Sequence, residues 1–139
     1  METIMSKKVT FKKPNADFEW EEALRYPEIF PTQKAWKKAF SKGKTIDVEA
    51  MGLAGLINNT DYEESLPAMK LSYKTLTKDR LKRIEAIFSQ DHIEIELPII
   101  MKHKGEYELI AGNTRLTKMG ILHRESGGDF PVKAFLIEV

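Results

Sequence analysis

The residues with the clearest chemical potential lie together in the run Glu108-Leu109-Ile110-Ala111-Gly112-Asn113-Thr114-Arg115-Leu116. A strand-like apolar run ends at Gly112, and a helix pattern begins at once. The first amides of a helix have no partners within it, and the aligned peptide dipoles place partial positive charge there. Such an end can accept an anion, typically a phosphate. Gly112 allows backbone to approach a ligand closely. Asn113 or Thr114 can cap the helix or donate to a phosphate oxygen. Arg115 adds a permanent charge on a planar fork that matches phosphate geometry. A plainer reading fits the same residues: Gly112 makes a turn, Asn113 caps it, and Arg115 pairs with a surface carboxylate.

Other candidates carry their own alternatives. Glu94 and Glu96 stand two apart on a strand pattern and so share one face. In a cleft they can hold Mg²⁺ or act as a general base; otherwise they are the solvent side of a half-buried strand. His92, His103 and His123 lack metal-ligand spacing. His123 and Arg124 complement a helix C-terminus, which accounts for them without chemistry. There is no Walker loop, Rossmann fingerprint or Ser–His–Asp arrangement. Trp20 and Trp36 read as core or interface anchors.

These groups need elements to position them. Thr77 caps a helix with Asp79 in its first turn and Leu81, Ile84, Ile87 and Phe88 on one face. Ile93, Ile95 and Leu97 then alternate with glutamates, the period of a strand. Pro98 interrupts, so Ile99 to Lys102 forms a separate or edge strand. Lys104-Gly105 is a hairpin turn into Tyr107–Ala111. The helix after Gly112 runs from Thr114 to about Glu125, with Leu116, Met119 and Leu122 inward; Gly127 and Gly128 end it, and Val132–Val139 is a last strand.

The first half reads as helical. Asp17 caps a short helix bearing Trp20, Ala23 and Leu24, which Pro27 ends. Thr32 caps a second helix with Trp36, Ala39 and Phe40 on one stripe. Ser41 to Lys44 is a stop. Val48–Ile57 reads as a third helix despite Gly52 and Gly55. Asn58 to Asp61 is a loop, and residues 62–76 stay open.

Composition bounds the class. At 139 residues, 42% hydrophobic and 31% charged, the chain suits one globular domain. No apolar run reaches membrane-span length, and Met1 to Lys13 has no apolar h-region, so neither a membrane anchor nor a secretory signal is expected. The absence of cysteine excludes disulfides, thiolate metal sites and a cysteine nucleophile, and fits a cytoplasmic location. Lys and Arg total 22 against 21 acids, a net charge of +1, which argues against purely electrostatic nucleic-acid binding. Basic runs do occur: Lys7, Lys8, Lys12 and Lys13; Lys34 to Lys44; and Lys70 to Arg83. The last two can form one basic surface if the fold brings them together; taken singly, each is a solvated face.

From about Thr77 to Val139 the chain resembles the ParB/sulfiredoxin superfamily. The resemblance rests on an ordered set: the Leu81–Phe88 helix, Leu97-Pro98-Ile99-Ile100, a Lys102–Tyr107 hairpin, Leu109-Ile110-Ala111-Gly112-Asn113-Thr114-Arg115-Leu116, and Phe130-Pro131-Val132. Partition proteins carry Gly-Glu-Arg-Arg at the motif and sulfiredoxins Gly-Cys-His-Arg. In both the segment grips nucleotide phosphates, which the resemblance carries to Gly112 and Arg115 and, more loosely, to Asn113 and Thr114. It adds Lys102, since sulfiredoxin-like proteins use a lysine on a similar strand; the alternative is an exposed basic turn. Asn113 in the cysteine position excludes sulfiredoxin activity. A partition-type switch is not expected, because Asn113 replaces an acid and Val139 precedes any helix-turn-helix. Other members are nucleases or kinases of free serine.

The expected fold is therefore α+β: a small mixed sheet with packed helices over residues 77–139, preceded by a helical extension over 1–76, in one domain. The leading expectation is nucleotide binding, with Mg²⁺ accompanying a triphosphate and with NTPase or phosphoryl-transfer chemistry open. One alternative is a DNA-binding protein or nuclease. Another is a non-enzymatic adaptor whose N-terminal helices meet a protein partner.

Overall fold

The computed structural model describes residues 8–139; Lys7 of the first basic run lies outside them. Twelve elements follow in order: β1 (Lys8–Lys12), α1 (Trp20–Ala23), α2 (Gln33–Ser41), β2 (Lys44–Asp47), β3 (Ile57–Asn58), α3 (Leu66–Lys74), α4 (Lys78–Phe88), β4 (His92–Glu96), β5 (Ile99–His103), β6 (Glu106–Ala111), α5 (Asn113–Glu125) and β7 (Lys133–Glu138). The fold is α+β. A mixed five-stranded sheet has the order β2-β7-β5-β6-β3, and β1 and β4 form a parallel pair beside it.

Side chains alternate across each strand, so the central sheet buries both faces. Ile99, Met101, Phe135 and Ile137 face one cluster with Ala23, Phe30, Trp36 and Phe40. Ile100, Leu109, Ala134 and Leu136 face another with Met69, Ile84, Phe88, Leu116 and Met119. Thus α1 and α2 cover one side, and α3, α4 and α5 the other. Trp36 is fully buried, meets Phe30 edge to face at 5.0 Å, and donates its indole N–H to the Ala16 carbonyl at 2.8 Å. An anchor of this kind satisfies its one polar atom while burying a large apolar area.

Local chemistry explains several boundaries. The hydroxyls of Thr32 and Thr77 accept from the amides of Ala35 and Arg80 and cap α2 and α4 as expected. Pro98 separates β4 from β5 and places them in different sheets. Lys104 and Gly105 both take positive φ and close the β5–β6 hairpin. The last strand, β7, lies in the sheet interior between β2 and β5.

The first half departs from the helical expectation. β1 pairs with β4, β2 with β7 and β3 with β6, so three strands arise before residue 77. Asp17 does not cap α1; its carboxylate meets Lys37 at 2.6 Å, while the Asn15 side chain accepts from the amides of Asp17 and Phe18. The Val48–Ile57 stretch is no helix: residues 48–56 are a series of turns, with Gly52 and Gly55 at φ 64° and 79°, and Ile57 opens β3. Residues 62–76, left open by the sequence, contain α3, capped by Ser65. Among the described residues no helix is long and apolar enough to cross a membrane.

The turn segment is tied down by a buried cluster. Arg124 on α5 meets both oxygens of Glu49 at 2.5 and 2.9 Å, Tyr62 donates to Glu49 at 2.7 Å, and His123 lies 3.6 Å away. These residues do more than complement a helix end. Burial pushes the Glu49 carboxyl up, but the bonds from Arg124 and Tyr62 and the charges of Arg124 and His123 outweigh it and hold it below its ordinary 4.5. A depressed carboxyl stabilises the fold above its ordinary range, and that stabilisation is lost as pH falls through the lowered value. Glu49→Gln is expected to cost about 1–3 kcal/mol at neutral pH, since it strips a charged partner from Arg124. Urea melts should show the gap between variant and wild type narrowing below pH ~4; a gap independent of pH would contradict the clamp.

Candidate functional site

The strand–Gly–helix corner forms as the spacing indicates. Gly112 stands before α5 with φ 91°, and the Leu116 amide donates to its carbonyl. No side chain caps the helix, so the amides of Asn113, Thr114 and Arg115 have no protein acceptor among the described residues. A Cβ on Gly112 would lie 2.8 Å from the Pro98 Cα and 2.8 Å from the Arg115 guanidinium. Arg115 therefore folds back over the corner and is not turned away from it. It makes no ion pair within the described residues, so the surface-carboxylate alternative is not what the fold adopts.

An open cavity of about 460 Å³ sits on this corner. Its walls come from α5 (Asn113, Thr114, Arg115), the end of β6, Arg80 of α4, and Phe18, Glu19, Glu22 and Arg25 around α1. A β-bulge helps to build it. Ile99 pairs with Ala111 but Ile100 with Leu109, which leaves Ile110 unpaired. The Arg25 guanidinium donates to the freed Ile110 carbonyl and also meets Glu22 at 3.1 Å. A neighbouring cavity of about 410 Å³ shares Arg80, Thr114 and Arg115 and adds Arg83. Four of the five arginines in the chain thus line one continuous depression. Arginine is the cation whose fork best matches planar or phosphate anions, whereas lysines are spread over the whole surface.

Several expectations need correction. Asn113 does not cap α5 and its side chain is not free for a phosphate. Its Oδ1 accepts from Thr60 at 2.9 Å and from the Asp61 amide at 2.8 Å, and its Nδ2 donates to Asp61 at 2.9 Å. It is a latch between the 58–61 loop and the start of α5. Lys102 pairs with Tyr107 across the hairpin and lays its ammonium over that ring. It stands three residues along β5 from Ile99, the residue that reaches the corner, hence roughly 10 Å away. Glu94 is exposed and meets Lys12 at 3.4 Å on the β1–β4 pair, outside the cavity. Glu96 is half-buried and lies near enough to Glu19 to raise its pKa. His92 bonds Thr10, His103 the Val139 carbonyl and His123 the Phe130 carbonyl. The Lys34–Lys44 and Lys70–Arg83 runs lie on opposite sides of the central sheet and do not merge.

No family model, curated protein or solved structure matches this chain. The site is therefore read from its own chemistry.

Sequence reasoning missed Arg25, Arg80, Glu19 and Phe18 as cavity residues. Only the corner is contiguous in sequence; the others arrive from α1 and α4. Glu19 is the unusual one: 6% exposed. Burial raises its pKa; Arg115 opposes this, and Glu96 and Glu22 add to it. A raised carboxyl favours the fold at low pH and costs stability once pH passes its ordinary value. Perturbed acids of this kind concentrate in functional clefts.

Proposed function

We propose that this is a ParB/sulfiredoxin-like protein that binds the phosphates of a nucleotide at the start of α5, acting in the cytoplasm. One observation carries the reading: on an open cavity the Arg115 guanidinium stands beside Gly112, at a helix start whose first three amides have no acceptor, and it has no acid partner itself, among the described residues. The amides of Asn113, Thr114 and Arg115 supply donors, while Arg115 and Arg80 supply charge. Gly112 keeps the seat open. Asn113 acts through its latch and its amide, and Lys102 takes no part. Among the described residues no group of three His, Asp or Glu side chains stands ready for a metal ion. Mg²⁺ would therefore arrive on the phosphates, as it commonly does, with at most one or two protein carboxylates. Turnover, if the site performs it, would be phosphoryl transfer governed by positioning and charge.

The test is thermal denaturation with nucleoside di- and triphosphates, with and without Mg²⁺. A ligand held only by the folded state at a hundredfold above its Kd adds about 2.7 kcal/mol. No shift with any nucleotide would remove this reading. DNA retardation that weakens steeply with salt would then favour the DNA-binding alternative, and its absence the adaptor.

A further inference from the structure

β1 and β4 stand apart from the central sheet as a parallel pair, and β1 uses only one of its edges. The Lys8 amide donates to the Asp91 carbonyl and the Leu97 amide to the Lys12 carbonyl, so Lys8, Thr10 and Lys12 turn their peptide groups towards β4. Strand geometry turns those of Val9 and Phe11 the other way. Among the described residues these outward amides and carbonyls have no partner. A row of free peptide groups along a strand is a template for another strand. Parallel strands seldom stand as an isolated pair, and a two-stranded ribbon is marginal by itself.

The two faces of β1 say what a third strand would have to carry. Val9 and Phe11 face the core with Ile93 and Ile95, yet those isoleucines are fully buried while Val9 and Phe11 are only half-buried. A strand laid along β1 would cover them with apolar side chains of its own at alternate positions. Lys8, Thr10 and Lys12 lie on the outer face and are exposed. Lys12 meets Glu94 of β4 at 3.4 Å, whereas Lys8 has no ion pair among the described residues. Acidic residues at the intervening positions would stand opposite these lysines, with Glu94 and Glu96 two strand spacings off, about 10 Å. β4 itself displays the pattern that β1 accepts: Ile93 and Ile95 alternate with Glu94 and Glu96. A second copy of β1 does not fit this edge. In the antiparallel register centred on Thr10, Lys8 of each copy opposes Lys12 of the other, and like charges directly opposed are destabilising.

We propose that the open edge of β1 takes up an extended segment of a partner protein by strand addition, apolar on the side of Val9 and Phe11 and acidic on the side of Lys8 and Lys12. Main-chain bonds to Val9 and Phe11 supply affinity, and the two faces supply selectivity. The proposal is independent of the phosphate seat, since neither β1 nor β4 contributes a wall to that cavity.

The probe is a synthetic peptide with the sequence of residues 91–97, blocked at both ends and added to the whole chain. Amide hydrogen exchange, followed by NMR, is the readout. Without peptide, the Val9 and Phe11 amides should exchange roughly tenfold or more faster than those of Thr10 and Lys12, which the β4 ladder protects. With peptide, Val9 and Phe11 should slow to the rate of their neighbours while Thr10 and Lys12 stay protected, so that β4 is joined and not displaced. Replacing both glutamates of the peptide by lysine should weaken binding about tenfold. A peptide with N-methylated amides should not bind. Val9→Pro removes one outward donor and none of the β4 ladder, so it should abolish uptake; should that variant fail to fold, the N-methylated peptide still tests the main-chain bonds. No binding at about 1 mM peptide, protection that arises elsewhere in the chain, or binding indifferent to N-methylation overturns the proposal. Slow exchange of Val9 and Phe11 in the free protein, tracking concentration-dependent self-association, would assign the edge to a second copy and overturn it as well.

Discussion

Arg115→Ala is expected to abolish most of the nucleotide-induced rise in thermal stability while leaving the unliganded protein folded. Arg115 is half-buried and makes no hydrogen bond or ion pair among the described residues, so its truncation removes only its through-space pull on Glu19. Stability in the absence of ligand should change by roughly 0.5 kcal/mol or less, as for substitutions that break no specific contact. Binding should change much more. Charge-assisted bonds to an anion are worth about 1.5–3 kcal/mol each, or roughly ten- to a hundredfold in Kd. At a ligand concentration a hundredfold above the wild-type Kd, a hundredfold loss reduces the stabilisation from about 2.7 to about 0.4 kcal/mol. Arg115→Lys keeps the charge and loses the planar fork, so it should fall between the two. A full ligand shift in Arg115→Ala would leave the corner as an ordinary capped bend.

What could be read from the sequence divides along physical lines. Caps, turns and alternation are local, so Thr32, Thr77, Pro98, the Lys104-Gly105 hairpin and the Gly112 corner all fall where their chemistry places them. β1 is different. Its Val9-Thr10-Phe11 run has strand propensity, but the ladder that makes it a strand comes from His92–Glu96, eighty-odd positions away. β2 likewise depends on β7. In Val48–Ile57 the apolar spacing suggested a helix, but two glycines at positive φ and the pull of Glu49 towards Arg124 fold it into turns. The site shows the same division. Gly112 and Arg115 announce themselves within four residues. Arg25 becomes a cavity residue only because a bulge frees the Ile110 carbonyl, and Arg80 only because α4 packs beside α5's start. Asn113 was legible as a polar helix-start residue, yet a loop from residues 58–61 claims its side chain.

Gly112→Ala should produce the largest loss of stability of any conservative change at the site. Two penalties add. A residue with a Cβ at φ 91° pays for the left-handed region by about 1–2 kcal/mol. The new methyl would also stand 2.8 Å from the Pro98 Cα, and that backbone atom cannot swing aside as a flexible side-chain end can. Overpacking of this kind costs roughly 1–3 kcal/mol. Together they remove about 2–5 kcal/mol from a domain whose whole stability is on the order of 5–15 kcal/mol, and the midpoint should fall by on the order of 10 °C. Relief of the clash requires the β6–α5 corner to move away from β5, which displaces the Arg115 guanidinium and the free amides together. Nucleotide affinity should therefore fall with stability, unlike Arg115→Ala, where the two separate. Gly112→Asn resolves the two penalties, because asparagine tolerates positive φ but still carries a Cβ. Recovery of wild-type stability in Gly112→Asn would assign the cost to backbone conformation; a loss close to that of alanine would assign it to the contact with Pro98. Wild-type stability and binding in Gly112→Ala itself would show that the corner has room, and the close approach on which the seat depends would have to be abandoned.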